Sequence, residues 1–475
     1  MSPLLSFVSD LSEGLALRWR YFRLDGEDAV RKSQEMQWKD LLQALSSTEF
    51  GRSRRLSPSM TWRSFQAALP VCGPLGSSAR RLVASTAPDS RWPFPVQGFV
   101  RATPPVNQGD WAMPISAEFE RHLRRSWREA VLMLSNRETT SACLHAPIGL
   151  FESAANFEDS VESLSHLLQR LVGKSEGHGS ACLAILSESE KLDPGIATDT
   201  PLRWLVSLAP LFKTDLPRLA QRFGAHCCVH EVAATPAGIF AVQDRLRPAE
   251  GLRLLVDGGL FFELLPLSEY SPEGLSRLGP KTLRLDEWTP DTDAVLFLTG
   301  PSGACRYDTG EVVRLLSASP PRIQRMGRVD SVLPLAGERM TERTLSDALA
   351  NVCARQSWEV VHLHVAPHGH ASLTGQCRGA HEWWIELRPG SRQTPTGPML
   401  AEMIDSELSR QNPGYAERRR SGKIQEPLVR LLIPGLFDAW RERSLADSGR
   451  ARLPVSLPDR RIADVLAQFA RFHDS

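Results

Sequence analysis

The short apolar runs between residues 181 and 316 limit what this chain can fold into. They read ACLAIL (181–186), HCCVHEV (226–232), GIFAVQ (238–243), LFFELLP (260–266), DAVLFLTG (293–300) and EVVRLL (311–316). Each is too short to be a helix that buries one face, and each is rich in β-branched, aromatic or other core residues. Each is therefore expected to be a buried strand. Helices alternate with them. Over Ser116–Leu134, the residues Phe119, Leu123, Trp127, Ala130, Val131 and Leu134 recur at helical spacing, with Ser116 as the cap. Asp215 opens a second helix, DLPRLAQRF, which Gly224 closes. Strands and helices in this order predict an α/β domain with mixed sheets.

Beyond Arg328 the pattern becomes smaller and more regular. A helix over Thr341–Arg355 leads to strands EVVHLHVA and HEWWIEL, a helix over Pro398–Arg410, strand PLVRLLI, and helices near Phe437 and over Asp459–Phe472. This describes a compact α+β module of ordinary domain size. The chain has 475 residues, more than one core usually holds. The reading is therefore a large N-terminal α/β domain, 1–328, and a small α+β C-terminal domain, 329–475.

Composition narrows the function classes. The 56 basic and 55 acidic residues leave a formal charge of +1, without the electrostatic footprint of a nucleic-acid or membrane-surface protein. The eight cysteines form no C-x-x-C pair, and most lie in apolar runs as small core residues. With no signal peptide and no apolar run of membrane length, a cytoplasmic, reducing setting is expected. The N-terminal LLSFVSDLSEGLALRWRYF is expected to be an amphipathic helix packed on its own body. Lysine is scarce: only Lys32, Lys39, Lys174, Lys191, Lys213, Lys281 and Lys423 are present. Chemistry that needs a lysine has few places to find one.

Several segments carry a family likeness. YDTGEVVRLL followed by PRIQRMGRVDSVLPLAGERMTE resembles a segment of the form Y-R-x-G-D-x-V, then R-I-x-x-x-G-R, then G-E. GAHEWWIEL, NPGYAERR and GLFDAW match as well, LFFELLPLSEY looks like F-Y-E-F-I-P, and QEMQWKDLLQALSSTEFGR with SFQAALPV fits the opening. In order, over nearly the whole chain, these resemble the auxin-responsive Gretchen Hagen family of acyl-acid amido synthetases, in a divergent, bacterial-type form. The resemblance implies the adenylate-forming fold, with a large N-terminal domain and a small mobile C-terminal one. It also implies a reaction in which ATP and a carboxylic acid give an acyl adenylate, which an amine or amino acid then attacks. Such chemistry needs backbone donors for the triphosphate, a carboxylate for Mg²⁺, another for the ribose, and a cation against developing charge.

The positions matching those parts are altered. Where the family has the T-S-G-T-T phosphate loop, this chain has Ala102, Thr103, Pro104, Pro105 and Val106, with Asp110 or Trp111 near the lysine position. Proline has no N–H to donate and fixes φ, so of this loop only Thr103 still offers a hydroxyl. At the family's Mg²⁺ motif, Pro236 and Ala237 stand for serine and glutamate, and Ala233 for the adenine-stacking tyrosine. Glu231, six residues upstream, could swing in as a substitute carboxylate, but the favoured expectation is a surface acid ending the strand HCCVHEV. Glu311 stands where the family has its ribose aspartate, with Tyr307 and Gly310 retained; its extra methylene moves the carboxylate by about 1 Å. The alternative reading is that Gly310 makes a turn and Glu311 opens a strand. Arg452 falls at the C-terminal lysine and Arg328 at the hinge arginine, beside Asp330. Arginine keeps the charge but not the compact ammonium.

HLHVAPHGH brings His362, His364, His368 and His370 together, but without a carboxylate or cysteine at helpful spacing it reads as surface and strand-end histidines. Three functional readings stay open. The first is an acid–amine ligase-like protein with eroded ATP motifs, using a small carboxylic acid and an amine or amino acid, with ATP and Mg²⁺ as the family's cofactors. The second is a non-catalytic relative binding a protein partner or acyl ligand. The third is an acyl transferase drawing on a pre-activated donor such as a thioester.

Overall fold

The computed structural model describes residues 12, 15–17, 19–69, 71, 95–102, 111–135, 148–151, 161–172, 183–186, 204–245, 250–271, 275, 282–370, 378–390, 395–440 and 453–473. These form two compact units. The first draws on residues up to 209 and on 228–325, the second on 210–227 and 326–475.

The first unit holds two sheets. Strands β1 (Gly98–Ala102) and β2 (Trp111–Ile115) pair antiparallel, Ala102 opposite Trp111. The predicted phosphate loop thus joins two strands of one hairpin. The helix Ala117–Ser135 follows only after β2, a strand the sequence reading did not separate from the loop.

The larger sheet has eleven strands among the described residues. One half is parallel: β3 (Ile148–Phe151), β5 (Leu183–Leu186), β6 (Trp204–Ser207) and β7 (Cys228–Thr235); a short β4 (Val161–Glu162) joins β1 instead. The other half is antiparallel. It comprises β8 (Gly238–Val242), β9 (Leu252–Leu254), β10 (Phe261–Pro266), β11 (Leu283–Arg284), β12 (Asp293–Thr299), β13 (Tyr307–Ala318) and β14 (Pro321–Arg328). This is a mixed α/β architecture with a large mixed sheet, as the alternating runs predict.

The helix Ala117–Ser135 belongs to this core through Phe119, Leu123, Trp127, Ala130 and Val131, all buried on its predicted face, together with Ile239, Phe240 and Ala241 of β8. His122, fully buried among them, ties helix to sheet. Its Nδ1 lies 2.7 Å from the Gly258 carbonyl and its Nε2 accepts from the Ile239 N–H at 3.2 Å. Burial lowers its pKa to about 4, so the ring is neutral. Gly238, with φ of +141°, leaves room for that ring: a Cβ there would sit 2.5 Å from Nε2. The N-terminal helix packs through Leu17 and Tyr21, the Tyr21 hydroxyl donating to Glu129 at 2.8 Å, while Leu15, Trp19 and Phe22 are exposed.

In the second unit, β15 (Val360–His370) pairs antiparallel with β16 (Arg378–Leu387), and β17 (Leu428–Leu432) lies parallel on the other side of β16. The helices Glu342–Gln356 and Gly397–Gln411 supply Leu345, Leu349, Leu400 and Ile404 to a core around Trp383, Tyr415 and Phe212. Phe212 is nearly fully buried, and Arg343 stacks over its ring at 5.2 Å. Three of the segments that carry the family likeness meet here. The Glu338 Oε1 is 2.5 Å from the His381 Nε2, and the His381 ring stacks on Tyr415 at 5.8 Å.

Candidate functional site

Glu311 sits inside β13, neither at a strand start nor after a turn. Opposite it, the register between β12 and β13 slips: Val295 faces Val312, whereas Phe297 faces Asp308. Thr309, Gly310 and Glu311 stand against Leu296 alone and form a bulge of two extra residues, in which Gly310 takes the left-handed φ of +70°. Local hydrogen bonds hold it. Asp308 accepts from the Gly310 N–H at 2.8 Å and from the Tyr270 hydroxyl at 2.7 Å, and Thr309 donates to the Leu296 carbonyl at 2.7 Å. Tyr307, buried at the start of β13, pairs with Leu298. The bulge re-aims the Glu311 carboxylate into the sheet's interior, where it is 1% exposed.

There it meets Arg325. The Arg325 Nε donates to the Glu311 Oε2 at 2.9 Å, and its Nη1 donates to the Leu208 carbonyl at 2.7 Å and to the Glu231 Oε1 at 3.3 Å. Glu231, read from sequence as a surface acid, is buried. It lies mid-strand in β7, which continues to Thr235, and its own N–H donates to the Gln243 side chain at 3.0 Å. A buried guanidinium thus lies between two buried carboxylates as their shared counter-ion.

The Mg²⁺ motif is replaced in kind as well as in letter. Thr235, Pro236, Ala237 and Gly238 make the tight turn between β7 and β8, Thr235 pairing with Gly238, and Ala237 is fully buried. No group of three or more His, Cys, Asp or Glu among the described residues could hold a metal ion. The described residues therefore do not fit an ordinary MgATP site: the carboxylate at the position matching the family's ribose aspartate is engaged by Arg325, and the position matching its metal carboxylate is the buried methyl group of Ala237.

The other candidates are dispersed or not described. Thr103 and the rest of 103–110 lie outside the described residues, as does Arg452. Arg328 ends β14, half-exposed, with its Nε 3.5 Å from the Asp330 carboxylate; its N–H donates to Glu342 at 3.3 Å. Lys423 is an exposed turn residue. Of the histidines, His364 is not at the surface. It is fully buried, its Nδ1 2.9 Å from the Pro454 carbonyl, and burial lowers its pKa to about 4. His362 lies 3.6 Å from Asp438 and His368 3.7 Å from Glu382; the His370 side chain lies outside the described set.

Arg325 is the residue that the motif reading missed. The signal was present: in PRIQRMGR the two-residue period of a strand puts Arg325 on the face of Ile323, and an arginine on an apolar face calls for buried carboxylates.

Comparisons with known proteins agree with this architecture. Residues 343–452 match the GH3 family C-terminal domain. A Homo sapiens GH3 domain-containing protein is 28% identical over 232 residues, which are 47% of this chain and 42% of that protein. The match therefore spans less than half of that relative's length. The fold is similar to that of a GH3.15 acyl acid amido synthetase, at a TM-score of 0.69 and 13% identity, covering 97% of this chain and 96% of the other. It is equally similar to the AtGH3.15 acyl acid amido synthetase in complex with 2,4-DB, at 0.68 and 13%, covering 96% of each chain. No helix among the described residues is long and apolar enough to cross a membrane.

Proposed function

Starting from a chain with the fold of the acyl acid amido synthetases and, at residues 343–452, a GH3 C-terminal domain, we propose an acid–amine ligase-like protein. The family reaction joins a small carboxylic acid to an amine or amino acid after activating the acid with ATP and Mg²⁺. The observation that carries this reading is the completeness of the likeness: both units are present, and the fold covers 97% of this chain and 96% of the synthetase. By the family resemblance, the positions that would serve this reaction are Tyr307 and Glu311 toward the nucleoside, Thr103 toward the phosphates, Arg452 toward the reacting carboxyl and Arg328 as the hinge arginine, and Glu311 would first have to be released by Arg325. The setting is cytoplasmic.

One observation favours a second reading, a non-catalytic relative that binds an acyl ligand or a protein. Glu311 is 1% exposed, with its Oε2 held by Arg325, so its carboxylate is closed off from ribose hydroxyls as the strand stands. ATP–pyrophosphate exchange across a panel of carboxylic acids, with MgATP calorimetry beside it, separates the two. Acid-dependent exchange is the expected result for the ligase. Absence of both exchange and binding at millimolar ATP, with a folded chain, overturns it and leaves the binder.

A further inference from the structure

The N-terminal helix carries two apolar stripes. Leu17, Tyr21 and Leu24 recur at helical spacing and pack into the core of the first unit. Leu15, Trp19 and Phe22 recur at the same spacing two residues earlier, which puts them on the opposite face. Their exposures are 59%, 63% and 76%. One apolar face is enough to seat the helix on its own body. The second is a contiguous apolar surface left in water, the mark of an interaction site.

The charges beside the outer stripe are of one sign. The run RWRYFR (18–23) holds three arginines and no acid. Arg20 is taken inward, by Glu129 at 2.6 Å and Asp257 at 2.5 Å, which fixes the helix on the body. Arg23 stays outside. It is exposed, lies over the Trp19 ring at 5.0 Å, and makes no ion pair among the described residues. Asp25, just past the helix, is engaged by Arg253. In the next helix, Glu27–Ser46, the exposed Glu27 and Asp28 are balanced by the exposed Arg31 and Lys32.

We propose that this outer face lies on an anionic lipid surface, with Leu15, Trp19 and Phe22 below the headgroups and Arg23 at their phosphates. An indole, a phenyl ring and a leucine beside arginine suit a helix seated in the interfacial layer. A second copy of the chain fits less well. Three side chains fall short of the roughly 800 Å² that each partner of a stable interface buries, and a symmetric pair would add like charges to the contact. The overall charge is only +1, so the attraction is local and short in range. None of these residues belongs to the candidate nucleotide site, so the inference stands apart from the ligase reading.

The test is flotation of the full chain with vesicles of phosphatidylcholine and phosphatidylserine, about two to one, and with phosphatidylcholine alone. Binding to the mixed vesicles is expected, weaker by about ten-fold or more on phosphatidylcholine alone and in about 0.5 M salt. Trp19→Ser with Phe22→Ser should cut binding to the mixed vesicles by about ten-fold or more, whereas Trp19→Phe with Phe22→Leu should retain it. Both side chains are exposed, so the variants should keep the wild-type circular dichroism. Four results would overturn the proposal: no flotation of the folded chain with mixed vesicles, equal binding to both vesicles, equal flotation of the serine variant, or a dimer in sedimentation that the serine variant abolishes.

Discussion

Removing the Arg325 guanidinium would leave Glu231 and Glu311 buried without their shared counter-ion. Arg325→Met is therefore expected to cost about 3–5 kcal/mol, read as a lower urea midpoint for the first unit. Replacing all three members together, with Glu231→Leu and Glu311→Leu, should recover most of that loss, because the penalty lies in the stranded charges. If the single variant is as stable as the parent, the buried triad is not what the geometry implies. Gly238→Ala is a second sensitive position. It combines an unfavourable φ with a Cβ 2.5 Å from the His122 ring, and a loss of roughly 1–3 kcal/mol should follow in the same urea titration. At this scale the sequence was only half readable. The YDTGE motif pointed to Glu311, but the partner that neutralises it comes from another strand, and only the sheet order brings the two together. Glu231 was misjudged because β7 runs three residues past the point where the apolar run ends.

Elements were more legible than partners. The predicted helix at 116–134 is observed at Ala117–Ser135, and the runs at 238–243, 260–266 and 293–300 are β8, β10 and β12 within one residue at either end. Their burial is continuous, so pattern alone suffices. The run at 311–316 proved to be the middle of a strand from Tyr307 to Ala318, since a bulge around Gly310 looks like a turn in sequence. The short strands at 111–115 and 252–254 escaped detection because their few residues carry little pattern.

The helix–sheet contact through His122 has a measurable pH signature. The unfolded ring titrates at about 6.5 and the folded one at about 4, so between these values the unfolded chain binds the extra proton. The stability this ring contributes is complete above pH 6.5, is lost as pH falls through that window, and changes no further below 4. About 2 kcal/mol should disappear between pH 7 and pH 5. His364 behaves alike in the second unit, its folded value also being about 4. His122→Gln should flatten the pH dependence of the first unit and His364→Gln that of the second, each followed by hydrogen exchange in its own unit. A slope that neither variant alters would mean that other groups set it.

For the whole molecule, the notable feature is the segment 210–227, which lies between strands of the first unit in sequence and packs in the second. Besides Phe212, Thr214 joins it to that unit through a 2.8 Å hydrogen bond to Ser346. Phe212→Ala should destabilise the second unit by about 3–5 kcal/mol. Faster amide exchange is expected in the helix Glu342–Gln356 but not in Ala117–Ser135. Equal acceleration in both would mean the segment supports the first unit as well. Nothing in the sequence announced this exchange, because a short amphipathic helix fits either core.

The same segment sets a schedule for synthesis. A ribosome extends the chain by about 5–20 residues per second, and Leu349, against whose core Phe212 packs, emerges about 120 residues after the segment is complete. For roughly 6–24 seconds, therefore, an apolar stretch made early has no place to dock, while the strands on either side of it are free to begin assembling. Nascent chains of this protein should depend on holding chaperones during that interval, and slow codons placed between 228 and 349 would lengthen the exposure and lower the yield of folded protein.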